Sequence, residues 1–229
     1  MNPTHLHTRR ALWHVTLIAA IGISSATLLA TASPPACAAD AAAFATAFTD
    51  FQRANGGDES AIDAAAGKFE ALAAAEPADP VLLAYSGSSN AMRARSTFLP
   101  WKKMAFADEG LARLDKALAL LTPAHDAPGY RGTPASLETK FAAATTFLAM
   151  PSMFNRHARG AKLLAEVLAS PLLGNAPLPF RGAVWLRAGV QATADKRPDD
   201  ARRMFQQIVS SGAPQAERAQ QLLKEIAAS

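Results

Sequence analysis

Chemistry-bearing side chains are sparse in this 229-residue chain, and the few present are not grouped as catalysis or metal binding needs. His5, His7 and His14 crowd the N-terminus, which leaves His125 and His157 for the rest of the chain. Neither has a cysteine or a second histidine at metal-ligand spacing. His125-Asp126 sits in a stretch rich in Pro and Gly and reads as solvated. Tyr85-Ser86-Gly87-Ser88 resembles a nucleophile turn in composition only, because the G-x-S-x-G pattern and its strand-to-helix setting are missing. No Glu-Ser pair stands at a helix end as a lytic transglycosylase would need. Met92, Met104, Met150 and Met153 could ligate copper through thioether sulfur, but methionine equally fills gaps in alanine-rich cores. The expectation is therefore no catalytic residue, no metal and no cofactor.

Two clusters suit recognition better. Arg93, Arg95, Phe98, Leu99, Pro100, Trp101, Lys102 and Lys103 combine apolar anchors with four cations. Trp and Arg are the residues that dominate binding hot spots. Trp101 packed on a neighbouring helix, with solvated cations, is the alternative. The second cluster is Met153, Phe154 and Arg156, an apolar break that runs into a basic stretch. A buried turn followed by a solvated helix face explains it equally well.

The elements that must carry these residues are helices. Half of the residues are apolar and 18% are charged, which is the composition of a globular chain. Alanine is abundant, and β-branched runs between turn residues are absent after residue 40. Caps and breakers predict helices near 40–54, 59–75, 80–95, 102–121, 134–150, 156–169, 179–195, 198–211 and 214–227. Asp58 or Ser60, Asp79 and Asp199 are the expected N-caps or first-turn acids. Gly56-Gly57 and Gly174-Asn175 mark turns. Gly160 falls inside a helical pattern, where a lone glycine serves close packing.

A repeat runs through these helices. Trp185, Ala188, Gly189 and Ala192, followed by Ala201 and Phe205, are spaced as W-x2-L-G-x2-Y and A-x3-F. Upstream, Ala65-x-x-x-Phe69 precedes Pro77, and Gly87 follows ten residues later. Gly110-x-x-x-Leu114 before Pro123, and Gly160-x-x-x-Leu164 before Pro171, are fainter echoes. The chain thus resembles the tetratricopeptide-repeat family. Ala188 and Ala192 replace that family's larger residues, and Pro214 comes one residue late. The markers Ala65, Gly110, Gly160 and Ala201 are 45, 50 and 41 residues apart, against a family period of about 34.

The resemblance implies an all-α, tetratricopeptide-like superhelix of about four helix pairs plus a C-terminal capping helix. It also implies that the concave face binds a partner. In family members that grip a terminal carboxylate, Lys and Asn line that face. Val81, Ala84, Ser88 and Ala91 stand in the corresponding stretch, so an apolar helix or extended peptide is the expected occupant.

The N-terminus has the pattern of an export signal: Arg9 and Arg10, an apolar stretch from Val15 to Ala32, then small residues at 36–39. Cleavage is expected before Ala39 or Asp40, giving a signal over 1–39 and a helical domain over 40–229. Thr8-Arg9-Arg10-Ala11-Leu12 resembles a twin-arginine signal. An uncleaved anchor and lipidation of Cys37 are the alternatives, although Pro34 replaces the aliphatic residue usual before a lipidated cysteine. Without Arg9 and Arg10, 21 Lys and Arg face 19 Asp and Glu, close to neutral, which argues against nucleic acid as a partner. Cys37 is the sole cysteine, so no disulfide can form within the chain.

The expected function is an exported, periplasmic or secreted, non-enzymatic scaffold for a protein or peptide partner in the cell envelope, with no integral membrane span in its mature form. A carrier of a small apolar ligand or lipid is the alternative, its pocket lined by Trp101, Met150, Met153 and Phe154.

Overall fold

The computed structural model describes residues 36–228, with side chains over 41–227. The charged start and apolar stretch of the expected export signal, and the Cys37 side chain, lie outside the described residues. The expected cleavage point falls in the first turn of the first helix.

Nine α-helices account for most of the described chain: α1 (Ala36–Asn55), α2 (Ile62–Ala75), α3 (Pro80–Ser96), α4 (Pro100–Ala119), α5 (Ala135–Ala149), α6 (His157–Ala169), α7 (Leu178–Ala194), α8 (Pro198–Ser211) and α9 (Ala216–Ala228). No strand occurs among the described residues. The helix ends follow the local chemistry. The Asp79 carboxylate accepts from the N–H groups of Val81 and Leu82, and Pro80 takes the first helical position, where its missing N–H costs nothing. Asp58 caps a 3-10 turn over Glu59–Ala61, so α2 begins three residues later than its sequence pattern suggests. α8 ends on Gly212 in the left-handed conformation that glycine adopts freely. Gly174 and Asn175 close a 3-10 turn.

Consecutive helices pack as antiparallel pairs, α1 with α2, α3 with α4, α5 with α6, and α7 with α8, and α9 lies against α8. α3 is the hub, touching α1, α2, α4 and α5. It is buried on all sides, including Ser86, Ser88, Ser89 and Asn90. Over Pro80–Met92 the helix has no solvated face, and its small polar residues are only partly paired: Ser89 Oγ and Asn90 Nδ2 have no hydrogen-bond partner. Thr146 donates to the Ser88 hydroxyl at 2.8 Å, and Arg93 donates to Asn90 Oδ1 at 3.3 Å.

Small residues set the distance within three of the pairs. A Cβ on Gly87 would sit 2.6 Å from the Gly110 carbonyl oxygen, so α3 and α4 meet backbone to backbone. Gly160 lies against the Leu148 backbone in the same manner, inside α6 as its pattern predicts. Gly189 faces the Phe205 ring, which occupies the space a Cβ would need. Phe205 thus fills a hollow in its own pair rather than reaching toward a following one. Phe69 does reach the next pair and stacks on Tyr85 with ring centroids 5.0 Å apart.

The larger core runs from α1 to α7 and contains Phe44, Phe69, Leu82, Leu114, Phe147 and Val184. Full burial contributes roughly 1.5–3 kcal/mol for a side chain of the Phe69 class. A smaller cluster joins α7, α8 and α9 through Ala192, Phe205, Ile208, Ala219 and Ile226.

Candidate functional site

The first helices of successive pairs present faces to a common groove of about 540 Å³. α1 supplies Phe48, Phe51, Gln52 and Asn55, spaced i, i+3, i+4, i+7 on one helix face. α5 adds Phe141, Ala142 and Thr145, and α7 adds Phe180, Ala183, Leu186, Arg187 and Val190. Arg95 at the end of α3, Arg131 from the connection between α4 and α5, and Gln215 ahead of α9 complete the wall. The lining is mainly apolar, and its three charged side chains are all arginines.

Arg131 is fixed by a buried triad. Its guanidinium donates to Glu138 Oε1 and, at 3.3 Å, to the Tyr85 hydroxyl, which itself donates to Glu138 Oε1 at 2.8 Å. Glu138 is fully buried. Burial pushes its carboxyl above the usual carboxylate range, and Arg131 partly offsets this. Burial and the Glu138 charge likewise drive the Tyr85 phenol well above its ordinary value. The Arg131 guanidinium also lies 3.7 Å from the centroid of the Phe48 ring. Arg131 adopts φ 55°, and the Tyr130 hydroxyl beside it donates to Asp79 at 3.1 Å. These contacts tie the 120–134 connection to the start of α3.

Arg187 is different. It is half-buried and makes no ion pair among the described residues, and its Nε is buried without a hydrogen-bond partner. Burial lowers the pKa of the guanidinium. Arg95 also has no carboxylate partner among the described residues.

The sequence-predicted cluster at 93–103 divides in three. Arg93 turns inward to Asp63 at 2.8 Å and Glu70 at 3.1 Å, with its guanidinium over the Phe106 ring. Arg95 enters the groove. The remainder forms the tip between α3 and α4, where Phe98 is 98% exposed and Trp101 67%, beside exposed Leu99 and Met104. Lys102 and Lys103 are exposed there and unpaired among the described residues. Trp101 therefore does not pack on the adjoining pair.

The second cluster is dispersed as well. Met153 is exposed, whereas Phe154 packs on the core. Arg156 holds Asp115 at 2.9 Å, with its guanidinium over the Phe147 ring. The apolar pocket expected from Trp101, Met150, Met153 and Phe154 is not assembled. Met150 lines a cavity of only about 50 Å³ beside Met92 and Phe51.

Arg187, Arg131 and Glu138 escape sequence reasoning, although a signal for two of them exists. Glu138 and Arg187 interrupt the apolar stripes of α5 and α7, at helical spacing from Ala142 and Ala183. A charge on a buried stripe needs either a partner or a purpose.

His125 accepts from the Thr122 N–H at 3.0 Å and so closes a 3-10 turn, and His157 lies 3.4 Å from the Gln191 amide. No group of three His, Cys, Asp or Glu residues that could hold a metal occurs among the described residues. No described helix is long and apolar enough to cross a membrane. Comparison with protein-family models, with curated proteins and with solved structures found no match to the chain.

Proposed function

We propose that the chain is an exported, non-enzymatic scaffold of tetratricopeptide-like architecture that binds a protein partner in the cell envelope through the tip at 98–103. The nearly complete exposure of Phe98 carries this reading. Together with Leu99, Trp101 and Met104 it forms an apolar surface across the connection and the first turns of α4, where contact with water is unfavourable. An interface commonly has this composition, an aromatic and methionine centre with a cationic rim. Lys102 and Lys103 have no carboxylates of their own among the described residues, so the complementary partner is an apolar depression edged by acidic side chains.

The pairing of helices and the glycine crossings at Gly87 and Gly189 support the tetratricopeptide-like description, because the repeat motif puts glycine at those places. The N-terminal pattern over 1–39 supports export. Arg93 and Arg156 are committed to internal ion pairs and have structural roles.

The test is a crosslinking pull-down from the native envelope fraction with wild type and with Trp101→Ala combined with Lys102→Glu and Lys103→Glu. A tryptophan at the centre of an interface is worth at least about 2 kcal/mol, roughly 30-fold in affinity. The triple variant should lose the partner while keeping its helical signal and melting temperature. Equal recovery removes the tip as a docking surface. If wild type instead sediments with anionic vesicles and the variant does not, the tip is a bilayer contact and the protein-partner reading fails.

A further inference from the structure

We propose that the groove between α1, α5 and α7 is a binding site for a small amphipathic carboxylate, with Arg187 as the principal anchor for the anionic head. The site is separate from the tip at 98–103 and from the docking proposed there.

Charge comes first. Arg95, Arg131 and Arg187 line the groove, and no Asp or Glu does. Glu138 neutralises Arg131 from behind, which leaves Arg95 and Arg187 as an uncompensated excess of positive charge. Arg187 carries the heavier penalty, being half-buried with no carboxylate in reach among the described residues. A buried cation without a counter-ion is unfavourable, and an anion placed beside it relieves that. A planar guanidinium also suits a carboxylate, which it can meet with two parallel N–H donors.

The apolar body follows from the wall. Phe51, Phe141, Phe180 and Leu186 offer aromatic and aliphatic surface along the groove. The volume of about 540 Å³ lies within the usual range for small-ligand pockets, roughly 300–1,000 Å³.

The polar inventory argues against an extended peptide. A peptide backbone brings an N–H and a C=O with nearly every residue, and each needs a partner once buried. Thr145 already donates to the Phe141 and Ala142 carbonyls, and the Gln215 amide to the Pro179 carbonyl. Gln52, Asn55 and the carbonyl oxygen of the Gln215 amide are the side-chain amide groups left in the lining, too few for a buried backbone. An alkyl chain makes no such demand.

Isothermal titration of the full chain with dodecanoate, dodecanol and dodecyltrimethylammonium, all below their micellar concentrations, tests the proposal. Dodecanoate should bind saturably at one site, at least tenfold more tightly than dodecanol, and the cation should not bind. Arg187→Gln should weaken dodecanoate at least tenfold and leave dodecanol unchanged, while Arg187→Lys retains part of the affinity. If Arg187→Gln does not fold, Arg95→Gln, at an exposed position, carries the same test with a loss of at least threefold. Equal binding of dodecanoate and dodecanol, or unaltered dodecanoate affinity in the folded Gln variants, overturns the proposal. Tighter binding of an apolar heptapeptide with a free carboxyl end also overturns it and assigns the groove to chain termini. The Trp101→Ala, Lys102→Glu, Lys103→Glu variant should bind dodecanoate as wild type does, so failure at the tip and failure in the groove are separable.

Discussion

Glu138 shows what a single buried carboxyl does here. It receives hydrogen bonds from Tyr85 and Arg131, yet burial still holds its pKa above the ordinary 4.5. A carboxyl that binds its proton more tightly when folded contributes stability below pH 4.5, and this is lost as pH rises through the folded value. Asp50, Asp58 and Asp195 behave in the opposite sense. Hydrogen bonds from Lys68, Ser60 and Arg197 respectively hold them below the ordinary 3.8, and their contributions fade as pH falls. Glu138→Gln removes the first effect and keeps the second. The stability of wild type relative to Glu138→Gln should therefore increase as pH falls from the folded value to 4.5 and level off on either side, as measured by urea unfolding. A difference that stays flat, or shrinks, would show that Glu138 is not held in the burial seen here. Glu138→Ala takes the counter-ion from the Arg131 side chain, which is 29% exposed, and should cost about 3 kcal/mol at neutral pH. The pairing within this triad was invisible in the sequence, although Glu138 stood out on its stripe, because its members lie 46 and 53 residues from Tyr85. Local patterns report neighbours three or four positions apart, and the intervening connection has no helical period to extrapolate.

At the scale of elements, sequence and structure agree most closely. Pro80 after Asp79 and Pro198 after Arg197 start α3 and α8 where the sequence pattern places them, for reasons that act within one turn, whereas α4 starts on Pro100, two residues before its expected 102. The packing role of Gly160 was legible for the same reason, since a helical glycine lacking a turn signal has few other uses. Exposure of the tip was not legible, because it depends on what the next pair leaves uncovered. The glycine crossings make a direct comparison possible. Gly67, inside α2, has open space where a methyl group would stand, with nothing within 4 Å, whereas Gly87 faces a backbone oxygen. Both gain up to about 1 kcal/mol of helix propensity on becoming alanine. At Gly87 the crowding of two backbones outweighs this, at roughly 1–3 kcal/mol or more. Gly67→Ala should raise the melting temperature by about 2–4 °C, and Gly87→Ala should lower it by a similar amount or more. A rise in both would mean that α3 and α4 can part without loss.

The whole molecule divides its core unequally. Aromatic contacts among Phe44, Phe48, Phe51, Phe69, Tyr85 and Tyr130 concentrate around α1 and α3. The C-terminal cluster, shared by α7, α8 and α9, has Phe205 as its one fully buried aromatic ring. Helix arrays with mainly neighbour-to-neighbour contacts open from their less consolidated ends. Amide hydrogen exchange should therefore show α8 and α9 opening at lower free energy than α3, and uniform protection would contradict this division. The groove's α7 wall stands at the junction of the two clusters, so an occupant there would join them.

The backbone contact between Gly87 and Gly110 has a mechanical consequence. About ten residues of each helix extend from that crossing to the connection at 97–99, an arm of roughly 15 Å at 1.5 Å per residue. With backbone against backbone at the pivot and the fully buried Leu114 packed beside it, the arm has little room to bend there. Load applied at Phe98 and Trp101 is delivered to the centre of α3 instead of being absorbed by bending near the tip.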